Sequence, residues 1–321
     1  MYAHTLVLNW RHFLLAGIVA NCGVLGGMNA RAAELRIAQD QATVSIFDGD
    51  RPVLRYRFTN VPLKPYADEL FSPAGVQVLR DSPHDHQHHH GLMYALTVDG
   101  VDFWGEVGEG FGKEKHKSRT DFKSLVRNGI GRAGFVHELN WVGPASDKPL
   151  LIERRTIAVL KDDDLGATLV EWRMSLQTPP GKDAISLTGH HYFGLGMRFV
   201  ESMDSGGRFF NADDKPGDVV RGDERLTASK WCAYSAKANG KPVTVAIFDH
   251  PDNLRYPARM FTMAKPFAYL SATLNEWKEP VVVKAGEPLN LRYGVALWDG
   301  EADKAKVEKL YQRWLKQSGI E

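Results

Sequence analysis

The chain has 321 residues, 43% of them hydrophobic and 25% charged, and 40 basic residues against 39 acidic ones leave a net charge of +1. This is the composition of an ordinary folded protein; it excludes a disordered chain, a collagen-like fibre and a polytopic membrane protein, and it lacks the basic excess of a nucleic-acid binder. The exception is histidine: of 12 in the chain, five lie between His84 and His90.

Residues 1–32 have the layout of a secretory signal peptide. Arg11 supplies a positive flank, an uncharged run of apolar and small residues extends from Phe13 to Met28, and Ala30-Arg31-Ala32 has the small-x-small pattern of a cleavage site. The run is short for a membrane span and is diluted by Gly and Asn. The expectation is a periplasmic or secreted protein with no stable membrane span after cleavage. Cys22 would leave with the signal, so Cys232 would remain alone, without an internal disulfide.

From residue 33 onward the pattern is short and alternating. Strand-like runs occur at 43–47, 53–58, 92–98, 134–142, 150–160, 167–176, 243–248, 281–283 and 289–297, and Asp99-Gly100, Asn239-Gly240 and Ala285-Gly286 supply turns between them. Asp162-Asp163-Asp164 reads as a charged turn. One helix is expected over 302–317, where Val307, Leu310, Tyr311, Trp314 and Leu315 share a face. The expected fold is all-β: a large β-sandwich with one C-terminal α-helix, forming a single domain over 33–321.

Three segments concentrate the titratable groups. The first is Asp85-His86-Gln87-His88-His89-His90. In an extended segment His84, His86, His88 and His90 would share one face. Imidazoles there suit general acid–base work or metal ligation. A divalent ion would take His86 and His88, with further ligands from elsewhere in the chain. The second segment is Gly189-His190-His191-Tyr192. The third runs from Asp249 through His250, Asn253 and Arg255 to Pro257, where a planar guanidinium and an amide suit carboxylates and sugar hydroxyls.

The stretch Asp85-His-Gln-His-His-His-Gly-Leu92, followed by Val101-Asp-Phe-Trp-Gly-Glu106, resembles the hallmark of the PmoA-like family, whose usual form is Asp-His-x-His-His-Arg-Gly-Leu. His90 stands where that family more often has Arg. Val245–Pro257, Ala285-Gly-Glu287 and Leu291-Arg-Tyr-Gly294 resemble later parts of the same family. The family's name implies methane oxidation; its sequence character implies an exported β-sandwich of carbohydrate-degrading bacteria. More distantly, Leu187–Leu195 is similar to a segment of galactose mutarotases, which are β-supersandwiches. That similarity implies that His190 acts as an acid on a sugar ring oxygen.

Three functions follow as expectations. The first is a carbohydrate-active lyase, hydrolase or epimerase acting on a small-molecule or oligosaccharide substrate. His86, His88, His89 and His190 would be its catalytic groups, and Asp85, His250, Asn253 and Arg255 its substrate contacts. The second is a non-catalytic glycan- or metal-binding envelope protein. The third is a metal-dependent oxygenase.

Overall fold

In the computed structural model, residues 34–126, 130–161 and 164–318 are described, and the expected signal segment lies outside them. In chain order the strands are β1 (Leu35–Gln39), β2 (Thr43–Asp48), β3 (Arg51–Arg57), β4 (Tyr66–Leu70), β5 (Leu92–Ala95), β6 (Thr97–Val98) and β7 (Val101–Asp102). Four long strands follow: β8 (Lys113–Val126), β9 (Ile130–Val142), β10 (Pro149–Lys161) and β11 (Thr168–Gln177). Then come β12 (Ala184–Thr188), β13 (Gly194–Arg198), β14 (Arg208–Asn211), β15 (Asp218–Val219), β16 (Arg225–Ala228) and β17 (Trp231–Ala238). The last are β18 (Lys241–Asp249), β19 (Arg259–Met263), β20 (Tyr269–Thr273), β21 (Val281–Lys284) and β22 (Leu289–Asp299), before helix α1 (Lys304–Ser318).

The strands form two large sheets and a small one. The ten-stranded sheet runs β1-β2-β3-β4-β5-β13-β20-β19-β16-β15, and the eight-stranded sheet runs β14-β17-β18-β22-β11-β10-β9-β8. A four-stranded sheet, β21-β12-β6-β7, completes the set. Side chains of the two large sheets meet in one core: Tyr56 packs on Phe135 and Tyr94 on Trp141. The all-β sandwich expected from the sequence is therefore what the chain forms.

Strands β18 and β22 show why some runs lack alternation. Val245, Ile247, Val295 and Leu297 face the inter-sheet core. Ala246, Phe248, Ala296 and Trp298 face the other way, onto Val307, Leu310, Tyr311 and Trp314 of α1. A strand buried on both faces reads as a continuous apolar run. The apolar stripe of the helix is thus covered by the sheet. Cys232 is free and buried, and burial pushes its thiol up to about 12, which suits a core residue.

One buried arginine gathers polar groups between the sheets. Arg155, fully buried, donates to Glu153, to Glu114 Oε2 (3.0 Å) and to the Tyr56 hydroxyl (3.1 Å), and Trp141 Nε1 donates to Glu153 (2.8 Å). Burial, only partly offset by Arg155, pushes Glu114 up to about 8. Two carboxylates on one guanidinium repel one another, and burial with Glu153 close by favours the protonated form of Glu114.

Candidate active site

The site is assembled by strand order. Strands β5, β13, β20, β19, β16 and β15 are consecutive neighbours in the ten-stranded sheet. Met197 pairs with Leu92, Arg198 with Tyr269, and Arg225 with Thr262. The loop before β5, the β19–β20 turn and the β15–β16 turn therefore meet at one end of the sheet, although they span residues 81–269.

The histidine loop is not extended. His86 N donates to Pro83 O (3.0 Å) and His89 N to His86 O (2.9 Å), which makes two tight turns. Ser82 N donates to His89 O (2.9 Å) and closes the loop. At its end Gly91 has φ +33, and a Cβ there would lie 2.2 Å from Ala67 O of β4. Only glycine allows that approach. The shared face expected for His84, His86, His88 and His90 is lost, because period-two spacing requires an extended backbone. Instead His86 stacks on His89 (4.8 Å between centroids), and His88 meets His89 edge-on (4.5 Å). His84 is exposed.

His90 turns the other way. Its Nδ1 lies 2.6 Å from Asp81 Oδ1 and its Nε2 2.8 Å from Glu106 Oε2, and the ring stacks on Tyr66 (4.2 Å). Burial opposes its charge, but the bonds to Asp81 and Glu106 prevail and raise its pKa. The same bonds hold Asp81 and Glu106 below the usual carboxylate range against their own desolvation. Glu106 also binds the buried Lys64. A protonated imidazole bridging two carboxylates does here what an arginine fork does elsewhere, which explains how histidine is accommodated at this position.

His86, His88 and His89 line a cleft of about 500 Å³. Its aromatic walls are Tyr192, Phe261, Phe267 and Tyr269. His89 packs against Tyr269 (5.3 Å) and Phe267 (5.6 Å), with Trp104 behind it (6.1 Å). The polar wall comes from the β15–β16 turn. Glu224, largely buried, accepts from Arg221 Nη2 (2.6 Å) and His191 Nε2 (3.1 Å). Burial, aided by the Lys64 cation, lowers His88 to about 4; burial and the neighbouring His88 lower His89 to about 2. Both imidazoles are neutral at physiological pH.

The other expected site residues divide into two groups. Asp85 is exposed, with its carboxylate 3.1 Å from His86 Nδ1 and 3.9 Å from Arg198. His190 is exposed at the cleft's margin, parallel to Tyr192 (5.7 Å). His250, Asn253 and Arg255 are not brought to this cleft, whose lining includes none of them. Asn253 Nδ2 donates to Asp249 (2.6 Å) and Arg292 O (2.7 Å), and its Oδ1 accepts from Arg292 N (2.7 Å). Arg255 donates to the carbonyls of Leu274, Glu279 and Pro280. His250 Nδ1 accepts from Asp252 N (3.2 Å), and the ring sits edge-on to Trp314 (5.4 Å). These groups tie β18 to β22, to the loop before β21 and to the helix.

Sequence reading missed Arg221, Glu224, Phe267 and Tyr269. The first three lie in turns without a motif and Tyr269 opens β20, and only the order of strands brings them to the histidines. Among the described residues no three His, Cys, Asp or Glu side chains are arranged to hold a metal ion. A divalent ion on His86 and His88 therefore lacks a third protein ligand there.

No curated protein matches the chain. Among solved structures it is similar to an α-galactosidase from Lactobacillus brevis, at 6% identity and TM-score 0.49, covering 87% of this chain and 42% of that one. An α-galactosidase from Geobacillus stearothermophilus aligns at 11% identity and TM-score 0.42, covering 83% of this chain and 41% of that one. A Salmonella typhimurium protein assigned as a mutarotase aligns at 12% identity and TM-score 0.40, covering 83% of this chain and 94% of that one. The chain thus spans about two fifths of the galactosidases' length. One family matches most of the chain, over residues 43–312, and its description assigns no activity and makes no mention of methane oxidation. The chain belongs to the family of unknown function DUF6807.

Proposed function

We propose that the protein is an exported carbohydrate-active enzyme whose active site is the histidine-lined cleft. The observation that carries this reading is the pairing of three mutually packed imidazoles with aromatic walls in one cleft of about 500 Å³. Sugars present C–H faces that pack on rings such as Phe261, Phe267 and Tyr269, and hydroxyls that pair with His86, Arg221 and Glu224. His88, as general base, takes the proton from the carbon beside the carbonyl of an open-chain sugar; the electron pair passes to the carbonyl oxygen as an enediolate, and return of the proton to the opposite face gives the epimer, while Glu224, fixed by Arg221 and His191, orients a hydroxyl.

The arrangement favours epimerase chemistry, in which one proton leaves and returns to a sugar carbon beside a carbonyl, over hydrolysis. Glycoside hydrolysis uses two carboxyl groups flanking the scissile bond. The carboxylates lining this cleft, Asp223 and Glu224, are consecutive residues of one turn, and the other groups there that can act as bases near neutral pH are imidazoles. Calorimetric titration with a panel of neutral and acidic oligosaccharides, followed by NMR analysis of the mixtures, tests the reading. Saturable binding with an epimerised product is expected. Saturable binding without product supports a non-catalytic glycan-binding protein instead, and binding by no sugar rejects both.

A further inference from the structure

The cleft does not end at the β19–β20 turn. A second hollow, of about 820 Å³, lies beside it and is lined by Asp204, Ser205, Gly206 and Tyr234. Gly222, Asp223, Lys265 and Pro266 line both hollows. The tips of two hairpin turns thus form a low ridge between them, carrying the exposed side chains of Asp223 and Lys265. Each hollow alone falls within the roughly 300–1,000 Å³ of small-molecule sites.

The two hollows share a foundation as well as a ridge. Arg198 is 1% exposed and lies 3.4 Å over the Phe267 ring, which walls the first hollow. Its Nη2 is 3.9 Å from Asp85, on the histidine loop, and 3.7 Å from Asp204, on the floor of the second hollow. Asp204 Oδ1 in turn accepts from Ala268 N (3.0 Å), at the base of the β19–β20 turn. One buried cation therefore lies between the walls of both hollows, within ion-pair reach of a carboxylate on each side. The second hollow offers hydroxyl partners of both signs, Asp204, Asp223, Ser205 and Lys265, and so suits a neutral ligand.

Resting on the reading of the first hollow as a sugar site, we infer that the substrate is a neutral oligosaccharide of two or more units. One unit lies against the histidines, the chain crosses the Asp223–Lys265 ridge, and at least one further unit occupies the hollow beside Ser205.

Two size series test this: galactose, melibiose, raffinose and stachyose, and glucose through maltotetraose, each titrated calorimetrically into the full chain. In the series that binds, Kd is expected to fall at least about tenfold from the monosaccharide to the tetrasaccharide, because the second contact is made intramolecularly. Ser205 is exposed on a bend, so Ser205→Trp fills the second hollow without burdening the core. This variant is expected to bring the tetrasaccharide to within about twofold of the monosaccharide. Lys265→Ala, at the ridge, is expected to reduce the gain in part. Equal Kd values for monosaccharide and tetrasaccharide, or a gain that survives Ser205→Trp, overturn the inference and leave the histidine cleft as a monosaccharide site. Binding by no member of either series while an acidic oligosaccharide binds overturns the inference and leaves the sugar reading standing; binding by no sugar, neutral or acidic, rejects both.

Discussion

Of the histidine-bearing loops at strand ends, the one before β5 and the one after β18 have opposite characters. In the loop before β5, His86, His88 and His89 pack on one another and open to a cleft, and His89 Nδ1 has no hydrogen-bond partner. In the loop after β18, Asn253 makes three hydrogen bonds and Arg255 three, all but one of them to backbone. Buried polar groups satisfied by backbone hold a fold together. Titratable groups kept neutral beside a cavity are where chemistry is expected. Both loops carry equally conspicuous sequence patterns, so conspicuousness does not separate them; the destination of the hydrogen bonds does.

The largest expected effect that sharpens this contrast is on turnover. His88→Ala lowers kcat on the identified sugar by roughly 10²–10⁴-fold, the usual contribution of a placed general base. Its unfolding free energy changes little. Because His88 remains neutral down to about pH 4, the wild-type rate persists at pH 5, where a free imidazole is mostly charged. A kcat profile that falls with a midpoint near 6.5 contradicts the assignment of His88 as base.

The converse variant is Asn253→Leu. It leaves Asp249 and the Arg292 backbone unsatisfied and costs about 3 kcal/mol in urea unfolding. Sugar affinity per folded molecule stays at the wild-type value. A variant as stable as wild type but unable to bind sugar would reverse the roles of the two loops.

His90 gives a smaller effect, with a definite pH sign. His90→Leu removes the cation between Asp81 and Glu106 and costs about 2 kcal/mol, less than a fully buried pair because Lys64 still faces Glu106. The raised pKa of His90 means that its contribution is complete below about pH 6.5 and is lost as pH rises through the folded-state value. The lowered carboxylates act oppositely: their contribution is present above about pH 4.5 and is lost as pH falls through their folded-state values. His90→Arg, charged throughout, is expected to remove the alkaline loss in a series of denaturation curves. The smallest effect is at His190: as it is exposed at the margin, His190→Ala changes stability by less than about 0.5 kcal/mol and alters KM only a few-fold.

Much of the architecture is legible in the sequence, for identifiable reasons. Alternation in 53–58 and continuous apolar runs in 243–248 and 289–297 mark strands that pack on a core, and the stripe of α1 marks a helix covered on one side. Strand β8, Lys-Glu-Lys-His-Lys-Ser-Arg-Thr in its first eight residues, escapes notice because it lies at the edge of the eight-stranded sheet with most of these side chains toward solvent. Of the site, the histidines are legible as a cluster but not in their geometry. Period-two reasoning groups His86 with His90, whereas two tight turns group His86 with His89 and send His90 to Asp81 and Glu106. Glu224 and Tyr269 reach the cleft only through the order β5-β13-β20-β19-β16, a set of non-local pairings that no local pattern encodes.

The central claim is that the loop before β5, and not the loop after β18, touches the sugar. Long-range ¹H–¹⁵N NMR of the imidazole rings during titration with the tightest-binding oligosaccharide tests it directly. The account predicts saturable shifts at His86, His88 and His89, with His250 unmoved; shifts at His250 while those three stay fixed would contradict it.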